Sequence, residues 1–286
     1  MYVYPVAHAA WSSYVDYLRL THSGNAENVD LEQAYHMAML RAARRAGPEE
    51  SAVERFRLMG YYGYRLGSAF WGRSEQGYMV QCAGVGAAEL FDMNLPFTGV
   101  PRLDVQVTYW YERENRGVAS ATAELSVHAR AKNRGRPWKV RYINGMGSGD
   151  TCYIGSRGKK SKFLRCYDKY AESGQNADYK YAWRYECELT DFHAIYAYNT
   201  LRSLGQSDLS CMQVLSGYWQ ERGISLPYDG TLEALPPGKL PLDITSKERW
   251  LRWLKEGVAP SIEKRMLQGC DIGEILAALG LDRREK

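Results

Sequence analysis

Arg165, Tyr167 and Lys169 alternate near the end of TCYIGSRGKKSKFLRCYDKYAES, residues 151–173. Side chains two apart share one face of an extended strand, so this spacing stands a phenol between two cations. Leu164 and Cys166 fall on the opposite face. Two β-rich runs, 151–154 and 163–167, flank residues 155–161, where glycines accompany Arg157, Lys159 and Lys160. That pattern predicts a hairpin with a basic turn. A hydroxyl beside such a turn is placed to meet a phosphate and to attack phosphorus as an oxygen nucleophile. A phenol ionises near pH 10, so it needs help from Arg165, Lys169 or a metal-bound phosphate. Tyr170 is the rival nucleophile. With 22 tyrosines in the chain, the plainer reading of any one of them is a half-buried sheet residue.

Two other segments carry acids at strand spacing. In VPRLDVQVTYWY (100–111), Arg102, Asp104, Gln106 and Thr108 face one way, while Leu103, Val105, Val107 and Tyr109 face the other. In YKYAWRYECEL (179–189), Arg184, Glu186 and Glu188 share a face opposite Tyr185, Cys187 and Leu189. If these strands neighbour the hairpin, two or three carboxylates converge beside the phenol. Hard oxygen donors of that kind suit Mg²⁺ or Mn²⁺, which would polarise a phosphodiester. The alternative is structural: an acid inside an apolar strand must be neutralised, and arginines stand close to Asp104, Glu186 and Glu188 in the sequence pattern. The five histidines are scattered and form no His-hydrophobic-His pair. A metal site would therefore be carboxylate-rich, with at most an isolated His22 or His128.

The elements that must position these groups read as follows. Residues 15–21 alternate as a strand. Asp30 and Gln33 form a capping box for a helix with an apolar stripe of Leu31, Ala34, Tyr35, Ala38 and Ala42, stopped by Gly47-Pro48. Strands are expected over 61–70 and 77–83, around a polar turn at 72–76, then a short helix or loop from 84–86. A helix over 119–131 and a strand over 138–144 precede the hairpin. Asp191 can cap a helix over 192–204, and a short helix covers 211–222. The Pro/Gly-rich stretch 226–242 reads as a connector, followed by tail helices at 246–256, 261–268 and 271–279. This order predicts an α+β fold: a mainly antiparallel sheet with helices packed on one face, plus a C-terminal helical appendage. The expected division is 1–205 and 206–286, with a connector at 223–245.

The 286 residues are 45% hydrophobic and 24% charged, the balance of a globular protein with one large or two small domains. The net charge of +4 does not by itself announce nucleic acid, but basic residues cluster at 130–141 and 157–169. No apolar run has membrane-spanning length, and no signal peptide is visible. Six cysteines without a C-x-x-C pair read as buried, reduced thiols in a cytoplasm.

Several stretches together resemble the replication initiation factor (Rep_trans) family of rolling-circle initiators: VDYLRLT, RLDVQVT, YIGSR…FLRCYDKYAE, WRYECEL and WLKEGVAPSI. The resemblance spans roughly residues 14–267 and is most specific at the hairpin with its Tyr-x-Lys-x-x-Glu ending. It implies a fold related to HUH endonucleases, a divalent metal, a recruited helicase, and a tyrosine that nicks one strand of origin DNA. The products would be a 5′-phosphotyrosyl link and a free 3′-hydroxyl. It assigns the nucleophile to Tyr167, with Lys169 and Glu172 completing the motif, and the acids to Asp104 and Glu186. Apart from the resemblance, the basic turn residues Arg157, Lys159 and Lys160 are candidate contacts to the DNA phosphate backbone, with a solvated turn as the plainer reading. Relatives often carry a second acid four residues after the first, where this chain has Thr108. The competing classes are a sequence-specific binding protein that lost the chemistry and a mobile-element relaxase. Whether two copies of the chain associate is left open.

Overall fold

A computed structural model of the protein describes residues 8–23, 29–46, 53–114, 117–128, 138–145, 149–228 and 232–238, and the single positions 262, 266, 269 and 271. The described strands are β1 (His8–Ser23), β2 (Glu54–Leu58), β3 (Tyr61–Leu66), β4 (Ala69–Ser74), β5 (Gly77–Ala83) and β6 (Gly99–Tyr111). They continue as β7 (Val140–Ile143), β8 (Thr151–Ile154), β9 (Lys162–Asp168) and β10 (Ala182–Thr190). The described helices are α1 (Val29–Ala46), α2 (Val85–Asp92), α3 (Val118–His128), α4 (Lys169–Glu172), α5 (Phe192–Leu204) and α6 (Asp208–Gln220).

These strands form one antiparallel sheet in the order β2-β3-β4-β5-β1-β6-β10-β9-β8-β7. Its centre is β6, whose alternation divides the two faces. Leu103, Val105, Val107 and Tyr109 are fully buried on one side, with the Cα partners Leu189, Cys187, Tyr185 and Trp183 of β10 beside them. The larger helices cover this side: α1 packs on β4 and β5, α3 on β8 and β9, α5 on β6 and β10, and α6 on β1 and β6. Trp219 of α6 meets the Tyr185 ring edge-on at 5.1 Å, and the Tyr109 hydroxyl donates to the Pro227 carbonyl at 2.7 Å. Each fully buried large apolar side chain contributes about 1.5–3 kcal/mol, so this layer holds the sheet against its helices. The α+β architecture with helices on one face is the expected one. Among the described residues no helix is long and apolar enough to cross a membrane.

Four expectations need correction. Residues 61–70 are not one strand: Gly67 at φ 55° opens a turn that splits them into β3 and β4. The edge strand β2 had not been expected at all. Asp30 lies inside the first turn of α1 rather than before it. The boundary expected at 205/206 falls inside a compact unit, because α6 packs into the sheet core. The chain divides instead into Met1–Gly238 and Lys239–Lys286. Part of the expected connector is held down, since Ile224 and Leu226 are buried and the Leu235 N–H donates to the Gln213 carbonyl. Apart from the single positions 262, 266 and 271, the three expected tail helices lie outside the described residues, as does most of the 130–141 basic cluster.

Candidate active site on the polar face of the sheet

The strands bearing the candidate residues are immediate neighbours, in the order β6-β10-β9. Antiparallel Cα partners project to the same face, which gives three rows: Asp104–Glu188–Phe163, Gln106–Glu186–Arg165 and Thr108–Arg184–Tyr167. The acids, the phenol and the cations therefore share the face turned away from the large helices. Asp104, Glu186, Glu188 and Arg184 are nonetheless buried, because the layer packs against itself. A short segment folds over one end of it, where Tyr179 stacks on Trp110 and the Arg184 guanidinium lies 5.9 Å from the Tyr179 ring.

Tyr167 is 7% exposed, and its hydroxyl donates to Glu186 Oε1 at 2.5 Å. Burial, and then the Glu186 charge, push the phenol well above its ordinary pKa, so it stands protonated against a waiting carboxylate. Arg165 is ion-paired with Glu186, and its guanidinium lies 5.8 Å from the Tyr167 ring centroid. Arg184 braces the other side: Nε donates to Thr108 Oγ1 at 2.8 Å, and Nη1 stands 3.9 Å from Glu186 Oε1. Burial also raises the Glu186 pKa, opposed first by Arg165. With a neutral hydroxyl hydrogen-bonded to a buried carboxylate between two guanidinium groups, the carboxylate is within reach to accept the hydroxyl proton.

The second half of the site is acid held by arginine. Arg102 donates through Nε and Nη2 to the two Asp104 oxygens, at 2.9 and 2.6 Å, and reaches Glu188 at 3.1 Å. Arg157 Nε donates to both Glu188 oxygens, at 3.2 and 3.1 Å. The Asp104 pKa is pushed up to about 6, chiefly by burial, with Arg102 opposing and the Glu186 and Glu188 charges adding. Among the described residues no group of three His, Cys, Asp or Glu side chains is poised to hold a metal. The donor set still fits a hard divalent cation in kind. Three buried carboxylates crowd one face, and Glu186 Oε2 accepts no hydrogen bond beyond its ion pair with Arg165.

The other expected residues fall as follows. Lys169 does not continue the alternation of Arg165 and Tyr167: β9 ends at Asp168, which caps α4 by accepting the Ala171 N–H at 3.1 Å. The Lys169 ammonium bonds Glu172 at 2.6 Å and lies 5.2 Å from the Tyr179 ring. The second cation flanking Tyr167 is therefore Arg184. Tyr170 lies in α4, outside the three rows. Arg157 is drawn from the basic turn onto Glu188, whereas Lys159 and Lys160 are exposed. His22 pairs with Tyr78 on the helix-bearing side, away from the site. The side chain of His128 is outside the description.

One site residue was missed. Plain alternation along 15–21 puts Asp16 with Leu18 and Leu20, on the apolar side. A β-bulge between Val15 and Tyr17, where β1 spends one residue more than β6, turns it to the polar face. Its carboxylate stands 3.5 Å from Arg184 Nη1. Thr108, where a second acid was expected, accepts from Arg184 and donates to Gln106 Oε1 at 2.8 Å. No signal in the sequence marks the bulge.

A family model described as replication initiation factor matches residues 111–272, more than half of the chain and including Tyr167 and Glu186 but not Asp16 or Asp104. No curated protein matches the chain. Among solved structures, the rolling circle replication initiator protein from Geobacillus stearothermophilus superposes with a TM-score of 0.55 at 18% sequence identity. The alignment covers 86% of this chain and 96% of that one. With the β8–β9 hairpin and β10 inside the matched region, the chain belongs to the replication initiation factor family.

Proposed function

We propose that the protein initiates rolling-circle replication by nicking one strand of origin DNA, with Tyr167 as nucleophile and Glu186 as its general base. The reading rests on one observation above all, the 2.5 Å hydrogen bond from the Tyr167 hydroxyl to Glu186 Oε1. In the reaction the phenol oxygen bonds to phosphorus while its proton passes to Glu186 Oε1. The bond from phosphorus to the 3′ oxygen breaks, and that oxygen leaves as a 3′-hydroxyl after gaining a proton. The phosphate stays esterified to Tyr167, which conserves the energy for rejoining. Arg165, partly exposed beside the phenol, is placed to neutralise the phosphoryl oxygens as charge develops. Arg157, Lys159 and Lys160 on the adjoining turn supply backbone contacts to the strand. A Mg²⁺ or Mn²⁺ ion held by Asp104, Glu186 and Glu188 would add Lewis-acid polarisation of the phosphoryl group. Origin DNA melted to single strands is the substrate, and a host helicase is the further partner that the family resemblance implies.

The grip of Arg102 on Asp104 is the observation that favours the second reading, a DNA-binding protein without chemistry. Incubation with supercoiled DNA carrying the cognate origin and Mn²⁺ decides between them. The expected result is a nick and a protease-sensitive adduct that maps to Tyr167, both abolished in Tyr167→Phe. A Tyr167→Phe protein that nicks like the wild type, or an adduct on Tyr170, removes Tyr167 from the mechanism. The absence of any nick leaves the binding protein as the description.

A further inference from the structure

On the opposite face from the candidate active site, and separated from it by β5 and β1, the free edge of the sheet carries an open trough of about 440 Å³. Two same-face rows of Cα partners build its floor and walls: Arg55–Tyr64–Trp71 and Arg57–Tyr62–Arg73. The floor is aromatic and flat. The Tyr64 and Trp71 rings lie within 4° of parallel at 5.9 Å between centroids, and His36 of α1 stacks on Trp71 at 5.2 Å. Tyr62 is 57% exposed, with the Arg57 guanidinium laid over its ring at 4.7 Å. Of the three arginines only Arg73 meets a carboxylate, Glu32 at 3.3 Å; among the described residues Arg55 and Arg57 have none. None of these positions falls within residues 111–272, where the family match lies.

Solvated guanidinium groups on edge strands ordinarily serve solubility. Here they alternate with the exposed Tyr62 ring and the partly exposed Tyr64 ring over a shaped depression, and that combination serves a different chemistry. Flat π surfaces accept unstacked bases, and guanidinium groups beside them accept the intervening phosphates. A duplex offers its phosphates but keeps its base faces stacked, so it would use the cations and leave the rings idle. We propose that this trough binds single-stranded DNA, seating one or two bases on Tyr62 and on the partly exposed Tyr64 ring, which the buried Trp71 backs, with their phosphates on Arg55 and Arg57. The inference shares with the proposed function only that the chain handles DNA, and it does not need Tyr167 to be a nucleophile.

The test is therefore a binding measurement without cleavage. Fluorescence anisotropy of a labelled oligo-dT without metal is read across a salt series, for wild type and for the double variant Arg55→Ala/Arg57→Ala. Both residues are exposed, so the melting temperature should not change. The expected result is weaker binding with a salt slope lower by about 1.4, the share of two single-strand phosphate contacts. Tyr62→Ala should weaken binding about fivefold or more, and Tyr62→Trp should restore it. An oligonucleotide carrying 5-iododeoxyuridine should photocrosslink within residues 55–73. Unchanged affinity and slope in the double variant, crosslinks confined to other segments, or an equal loss for a duplex of the same length would each overturn the proposal. Loss of nicking in Tyr167→Phe with oligo-dT binding intact separates this trough from the active site.

Discussion

Replacing Glu186 with Gln separates two ways in which Tyr167 could attack. At its ordinary pKa near 10 only about one phenol in a thousand is ionised at pH 7, and burial together with Glu186 lowers that fraction further. Glu186→Gln keeps an oxygen to accept from the hydroxyl but removes the negative charge that opposes ionisation. The phenol thus becomes more acidic while losing its proton acceptor. If a preformed phenolate attacks, the variant should be as fast as wild type or faster. If Glu186 takes the proton during attack, the rate should fall by about 10²–10⁴, or about 3–5 kcal/mol of barrier. Arg184 keeps Asp16 at 3.5 Å and Thr108 at 2.8 Å, whereas Arg165 loses its carboxylate and keeps only the amide oxygen, so a thermal melt of the variant accompanies the rate measurement. The assay is single-turnover nicking of a single-stranded origin oligonucleotide from pH 6 to 10. Mn²⁺ is raised until the rate no longer increases, so that weaker cation binding is not read as a lost base. A variant that matches or exceeds the wild-type rate refutes the general-base assignment.

Two further outcomes follow from the same layer. Asp104 titrates near 6 when folded against an ordinary 3.8, so the folded state binds the extra proton in that window and stability falls as pH rises from about 4 to about 6. The two-unit difference bounds this loss at about 3 kcal/mol. Urea unfolding of Asp104→Asn should show a flatter dependence there, and an unaltered slope would mean that the cost lies elsewhere. Asp16→Ala strips a partly exposed carboxylate from the buried Arg184 and should cost about 1–3 kcal/mol. It should also slow nicking while leaving the adduct on Tyr167. Unchanged stability and rate would show that Thr108, Glu186 and the Tyr14 hydroxyl suffice to hold that guanidinium.

Much of this protein is legible in its sequence, because the informative signal is local. A period of two fixes which side chains of β6, β9 and β10 share a face, and it placed Asp104, Tyr167 and Glu186 on polar faces without any coordinates. The hairpin turn, the helices on either side of it and the apolar face of β6 follow from the same local rules. Neighbourhood does not, since strand order depends on which apolar faces pack. Only the fold put β10 between β6 and β9 and brought Glu186 under the Tyr167 hydroxyl. Lys169 fell out of the expected trio because Asp168 caps a helix, a local contest that alternation cannot score. Asp16 entered the site through a bulge, where one extra residue reverses every later side chain on its strand. The residue types fixed what chemistry was available to this chain. Long-range register, set by burial of side chains far apart in sequence, decided which of those groups meet.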